Sequence, residues 1–373
     1  MNNSVNTIAL QMPPVLENNV SLVNILERHR GERHIVVIQD YPDPDALSAA
    51  FAHRLISAQF DIIVDIVYAG KISHAQNIAL VKLLGIPLVA YSESLDLSAY
   101  EGSVFIDCQG ANSAVTAKLA AAGVRAIAII DHHERQERLP EAEFVDIRRL
   151  GATATIYTEY IQSGLLELDH NRREHVVAAT ALMHGLMTDT HQFIRASEED
   201  YQAATFLARY YDAGALLEIM AQARSKQVMD IIQRTLQNRI LRESYSIAGI
   251  GYVRAEDRDA IPQAADFLLT EENIHTAIVY GIVVSDRDGQ RCESLVGSLR
   301  TTKLTVDPDT FIKEALGRSD AGQFYGGGKA EAGGFEIPVG FLTGGQDEFQ
   351  NLKWQVFDMQ IKQRLFAKIG IND

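Results

Sequence analysis

Short apolar runs alternate with Ala- and Leu-rich stretches through the first half of the chain. Residues 35–39 (IVVIQ), 62–68 (IIVDIVY), 87–91 (PLVAY), 103–107 (SVFID) and 124–130 (VRAIAII) read as strands. Between them, residues 46–58, 75–84 and 111–122 suit helices. This alternation predicts a parallel sheet with helices on both faces, and near-continuous Ile/Val runs fit strands buried on both sides. After Gly151 the pattern turns helical, over residues 153–162, 173–187, 200–211 and 213–238. The last of these has no Gly or Pro after Gly214, which predicts a rigid connector. Strands return from Ile240 in SIAGIGYV, TAIVYGIVV and SLVGSLR, then a helix near 309–316 and the Gly-rich GQFYGGGKAEAGGFEIP. The expected fold class is α/β. An N-terminal domain over residues 1–215 would carry the parallel sheet, a helical connector would span 216–240, and a smaller α/β domain with a mixed sheet would occupy 241–373.

Length supports the division, since a single core usually stops growing beyond roughly 250–300 residues and this chain has 373. Hydrophobic residues at 47% and charged residues at 22% exclude a mainly disordered chain. A net charge of −15 disfavours binding to long nucleic acid, because a bare acidic surface repels phosphate backbones. A small anionic substrate stays compatible, since bound divalent cations invert the local field. Two cysteines, Cys108 and Cys292, make neither a disulfide framework nor a thiolate metal site, so a reducing cytoplasm fits. Residues 1–20 hold no Lys or Arg and no apolar core segment, so no export signal is expected. No apolar run approaches the ~18 residues of a membrane span, and no membrane partner is expected.

The chemistry lies where the strands stop. IVVIQ runs into Asp40-Tyr41-Pro42-Asp43-Pro44-Asp45, SVFI ends in Asp107, and RAIAII ends in Asp131-His132-His133. The helix at 173–187 leads into Thr188-Asp189-Thr190. In an open parallel sheet all carboxyl ends of strands lie along one edge, where ligands bind. Each acidic element alone would suit a turn or a helix N-cap. Together they would repel one another strongly unless cations neutralised them. Carboxylates with one or two imidazoles suit Mn²⁺ or Mg²⁺, and two such ions held close together are a known hydrolytic device. The joint site is the favoured reading. GGGK lacks the spacing of a Walker A loop, and Cys108 reads as a packing residue.

YPDPDA (41–46), FID (105–107), DHH (131–133) and TDT (188–190) follow the order and spacing of four motifs, and in them the chain resembles the DHH phosphoesterases. Gly326-Gly327-Gly328-Lys329, closed by Ala332-Gly333-Gly334-Phe335, is similar to the Gly-rich motif of the DHH-associated C-terminal domain. The resemblance runs from about Glu32 to Pro338 and is nearest to the nanoRNase and pAp-phosphatase branch. It implies a Mn²⁺-dependent hydrolase of short oligonucleotides or of 3′-phosphoadenosine 5′-phosphate, with two ions (Mg²⁺ as the substitute). Asp43 and Asp107, with Gln39, would hold one ion. Asp45, Asp107, His132 and Asp189 would hold the other. Asp131 would orient the histidines, and His133 would lie near the scissile phosphate. Arg300, Gly326, Gly327, Gly328 and Lys329 would bind substrate in the second domain, and His74 and Asn77 would do so in the first, where Ser73 reads as a helix N-cap. A homodimer is compatible with the resemblance.

Two departures stand out. The family commonly has histidine at the position of Gln39, and a neutral amide is a poorer ligand than imidazole, so that site would be weaker or use Asp40. Its Gly-rich motif usually ends in histidine, where Lys329 here is a fixed cation. Two alternatives follow. One is a hydrolase of cyclic or linear dinucleotides, pyrophosphate or polyphosphate. The other is a nucleotide-binding regulator with decayed catalysis.

Overall fold

Two sheets organise the chain. The computed structural model describes residues 15–370, except 73, 112, 288, 289 and 330, and divides into the units Met1–Ala223 and Arg224–Asp373. The N-cap expected at Ser73 lies outside the described residues.

In the first unit, α1 (Val15–Arg28) precedes β1 (Arg33–Val37), α2 (Pro44–Ala58), β2 (Ile63–Tyr68), α3 (Ala75–Leu84) and β3 (Val89–Ala90). Then come β4 (Gly102–Ile106), α4 (Thr116–Ala121), β5 (Arg125–Asp131) and β6 (Ala142–Ile147). Four helices close it: α5 (Thr153–Tyr160), α6 (Arg173–Asp189), α7 (Glu198–Leu207) and α8 (Ala213–Met220). The strands pair in the order β3-β2-β1-β4-β5-β6, all parallel. Side chains alternate across the sheet. Val36, Ile38, Ile66 and Ile106 pack with α2 and α6 on one face, whereas Ile35, Val37, Val67 and Phe105 pack with Leu97, Val115 and Leu119 on the other. Burial on both faces explains why these strands read as unbroken apolar runs.

The second unit holds α9 (Lys226–Asn238), β7 (Ile240–Arg242), β8 (Tyr245–Arg254), α10 (Ala260–Leu268), β9 (Thr276–Arg287) and β10 (Gln290–Thr301). It ends with α11 (Pro308–Leu316), β11 (Gly326–Gly328), β12 (Ala332–Pro338) and α12 (Asp347–Ile369). Its sheet runs β11-β12-β10-β9-β8-β7 and is mixed, since β8 and β9 pair in parallel and the rest antiparallel.

Two expected elements differ. The stretch 213–238 is not one connector but two helices, α8 and α9, and the units divide between Ala223 and Arg224. Their apolar faces belong to different cores: Leu216 and Ile219 pack in the first unit, Val228, Ile231 and Ile232 in the second. Ser225 starts the new helix by accepting from Val228 N–H at 3.2 Å. The helix expected over 111–122 is only Thr116–Ala121. Gly110 turns the chain at φ 91°, and Ala114 N–H is taken by the Asp40 carboxylate. Among the described residues no helix is long and apolar enough to cross a membrane.

Candidate active site

Because the strands of the first sheet run one way, their carboxyl ends share a rim. The strand order reverses between β1 and β4, the point outside which open α/β sheets bind ligands. Beyond β1, Asp43 caps α2, one carboxyl oxygen accepting from Ala46 N–H at 2.9 Å. Asp45, in the first turn of α2, is fully buried. It accepts the Thr153 and Ala154 N–H groups at the start of α5, both at 2.7 Å. Asp107 follows β4 directly with φ 55°, a left-handed conformation that non-glycine residues keep mainly where the surroundings enforce it. Its carboxyl accepts from the Thr153 hydroxyl at 2.9 Å. Asp189 is the last residue of α6.

His132 stands where these groups converge. Its Nδ1 lies 3.1 Å from Leu150 O, which leaves Nε2 facing the acids. Around Nε2 lie Asp189 Oδ2 at 3.4 Å, Asp107 Oδ1 at 3.6 Å and Asp45 Oδ2 at 3.8 Å. None makes a hydrogen bond, so among the described residues this buried nitrogen has no partner. Donors sharing an ion at about 2.1 Å sit roughly 3–3.5 Å apart, close to these spacings. Ligand atoms of Asp45, His132 and Asp189 lie within 4.8 Å of one another, as do those of Asp107, His132 and His133.

The electrostatics say the same. Burial, reinforced by Asp189, pushes Asp43 up to about 6. Burial and neighbouring carboxylates push Asp45 and Asp107 well above the ordinary range. Burial alone would lower His132, but Asp189 and Asp45 outweigh it and raise the ring to about 9. With no ion, protons take the cation's place. Asp131 behaves differently: burial pushes it up, but hydrogen bonds from His133 and Gln109 hold it below the usual carboxylate range. One of its oxygens takes His133 Nδ1 at 2.8 Å and His133 N–H at 3.1 Å, and the other takes Gln109 Nε2 at 2.7 Å.

Gln39 is at this rim with its amide nitrogen inward, donating to Asp43 Oδ2 at 2.9 Å and Asp107 Oδ2 at 3.3 Å. The amide must turn over before its oxygen can meet an ion. Asp40 faces away, toward Ala114 N–H. His74 is exposed at the start of α3, and Asn77 donates to Pro42 O at 3.1 Å, steadying the loop before Asp43. Cys108 is buried, its thiol pushed up by burial. The sequence reading missed Thr153 and Gln109. Thr153 opens a helical stretch straight after Gly151-Ala152, a signal that was available, whereas nothing marks a lone Gln two residues past Asp107.

In the second unit, Arg300, Gly327, Gly328 and Lys329 line a cavity of about 350 Å³ together with Arg258 and Ser298. Arg300 is held by Asp266 at 2.7 Å and Ser298 at 2.7 Å. Gly326 is not in that lining; a Cβ there would strike Gly334 O and Phe335. The other glycines also serve packing: a Cβ on Gly327 would come 2.6 Å from Asp309, and one on Gly328 2.8 Å from Ala332 O. Gly328 N–H donates to Asp309 and Lys329 N–H to Ala332 O, so these amides are already used.

The profile of the DHH family, N-terminal domain, matches residues 34–187. An uncharacterized protein of Methanocaldococcus jannaschii, MJ1633, is 30% identical over 370 residues, covering 98% of this chain and 70% of that protein. The crystal structure of an exopolyphosphatase-related protein from Bacteroides fragilis aligns with a TM-score of 0.68 at 15% identity, over 96% of this chain and 99% of that one. That likeness shows the fold.

Proposed function

The chain belongs to the DHH family, and from that premise we propose that it is a Mn²⁺-dependent phosphoesterase acting on short oligonucleotides or on 3′-phosphoadenosine 5′-phosphate. The observation that carries the reading is His132 Nε2, buried, unpartnered and faced by oxygens of three carboxyls. Asp45, Asp107, His132 and Asp189 would hold one ion. Asp43, Asp107 and a turned Gln39 would hold a second, weaker one. When bound, such ions supply a nucleophilic water at neutral pH and offset charge developing at phosphorus. The protein's part is positioning. Asp131 fixes the ring of the partly exposed His133 through Nδ1, so that its Nε2 would meet a phosphate oxygen. Gln109 pins Asp131 from behind and also ties Glu134 O and Gln136 N–H, so the loop after His133 keeps its shape. In the second unit, Arg300 and Lys329 would bind a phosphate group of the substrate.

A panel decides the substrate: pAp, pApA, five-residue RNA, cyclic dinucleotides, pyrophosphate and a thirty-residue strand, each with Mn²⁺ and with chelator. Two- to five-residue oligonucleotides should turn over faster than the thirty-residue strand, since a long backbone must cross a surface of net charge −15. Equal efficiency at both lengths would rule out the short-substrate reading. The Gln39 amide between Asp43 and Asp107 supports a second reading, a nucleotide-binding regulator. It predicts Mn²⁺-independent nucleotide binding with no product from any member of the panel.

Lys329→Ala should raise KM roughly ten- to a hundredfold and leave kcat nearly unchanged, the cost of a charge-assisted contact present in ground and transition states alike. Steady-state kinetics would show it. A fall in kcat at constant KM would place Lys329 at the reacting phosphate instead.

A further inference from the structure

The opposite edge of the first sheet, where the strands begin, carries a cluster that the phosphoesterase reading does not use. Between the end of α1 at Arg28 and the start of β1 at Arg33, the chain turns through Gly31 at φ 82°. That turn gathers His29, Glu32 and His34, with one ligand atom from each within 4.8 Å of the others. His29 Nδ1 lies 2.8 Å and His34 Nε2 3.1 Å from the same oxygen, Glu32 Oε2. The rings meet edge to face at 5.7 Å, and packing fixes them, His29 being 5% and His34 0% exposed.

The remaining nitrogen of His29 is also engaged. Its Nε2 lies 3.2 Å from Glu143 Oε1 on β6, and Glu143 is itself held by Arg28 at 3.0 Å. A histidine that ligates a metal through one nitrogen commonly gives its other N–H to a carboxylate, which orients the ring and strengthens the ligand. Glu143 stands in that relation to His29.

We propose that His29 Nδ1, His34 Nε2 and Glu32 Oε2 bind Zn²⁺, with a solvent molecule completing the coordination. Tetrahedral ligands at about 2.0–2.2 Å from zinc lie roughly 3.3 Å apart, close to the spacings seen here. Two imidazoles with one carboxylate favour zinc over the hard cations that suit the acid-rich rim at the other edge. Glu32 keeps 26% of its side chain exposed, which gives the ion a way in. The ion would tie the end of α1 to β1. The proposal does not depend on the phosphoesterase reading, because none of these residues belongs to the rim.

The test uses the full chain, stripped with chelator, dialysed against Zn²⁺ and then freed of loose metal. Elemental analysis should find one zinc per chain fewer in Glu32→Gln and in His29→Gln than in the wild type. Titration of Glu143→Gln should show zinc binding at this site weakened about 10- to 100-fold. Replacing zinc by Co²⁺ should give the visible absorption of a tetrahedral ion in the wild type, reduced in Glu32→Gln. Hydrolysis with Mn²⁺ should be unchanged in all three variants. Equal zinc content in the wild type and Glu32→Gln would overturn the proposal and leave a hydrogen-bonded His–Glu network. Absence of the tetrahedral cobalt absorption in the wild type would overturn it even if the variants failed to fold.

Discussion

Asp107→Ala should abolish hydrolysis of every substrate in the panel while the fold survives. Asp107 is the carboxylate on which both halves of the rim converge. Its Oδ1 is 3.6 Å from His132 Nε2 and 3.7 Å from His133 Nδ1, and its Oδ2 is 3.3 Å from Gln39. Losing a group that merely supports a metal ligand typically costs 10–100-fold, so losing the shared carboxylate should cost at least about 100-fold in kcat. Two ions held in common would make the loss joint rather than partial. The fold should survive because, without metal, Asp107 is a liability: burial and the charges of Asp45, Asp43 and Asp189 all push its carboxyl upward. Asp107→Asn, which keeps shape and removes charge, should melt at the same temperature as the metal-free wild type or higher. Calorimetric Mn²⁺ titration, circular dichroism and turnover would be measured together. More than a tenth of wild-type activity in Asp107→Ala would sink the two-ion assignment.

Much of the first unit was legible because strands buried on both faces are largely apolar, and β1, β4 and β5 each run into acids. Asp43, Asp45, Asp107, Asp131 and His132 terminate or follow those strands and Asp189 ends α6, so position nominated them. Three things were not legible. β6 is an edge strand whose AEFVDI carries charge, and it gave no apolar run to detect. The break between α8 and α9 depends on two cores competing for one stretch, which periodicity along a single chain does not register. The side of the Gln39 amide that faces the acids is set by through-space contacts with Asp43 and Asp107, the latter 68 positions away. Nor does the sequence show that the Gly-rich run is also a packing device: its glycines are demanded by the close approach of α11 and the facing strand, and the amides of Gly328 and Lys329 are engaged inside the protein.

The stability that Mn²⁺ adds to the protein should grow as pH rises from 5 to 8.5. Asp43 is raised to about 6 in the folded chain, so between the ordinary carboxylate range and pH 6 the folded state binds more protons than the unfolded one. Its stabilising proton is fully present below about pH 4 and is lost as pH rises through 6. Asp45 and Asp107, pushed well above the ordinary range, extend the loss upward. His132, raised to about 9, has the same sign: its proton stabilises below about 6.5 and is lost through 9. Asp131 is lowered, so its contribution holds above the usual carboxylate range and fails only in stronger acid, outside this window. The groups titrate as one cluster, so their shifts do not add. Asp43 alone accounts for about 1–3 kcal/mol after discounting its partial exposure. A divalent ion takes the place of these protons, and its affinity rises with pH as the ligands deprotonate. At a hundred times Kd it adds about 2.7 kcal/mol. Thermal melts at pH 5 and pH 8.5, with chelator and with Mn²⁺, would decide it. The gain from Mn²⁺ should be larger at pH 8.5 than at pH 5; His53 and His184, which burial lowers to about 3 and about 4, act with the opposite sign in the chelated protein and cancel from this difference. An equal gain from Mn²⁺ at both values would mean that the rim holds no protons for the ion to displace, and the argument for cations at this rim would fail with it.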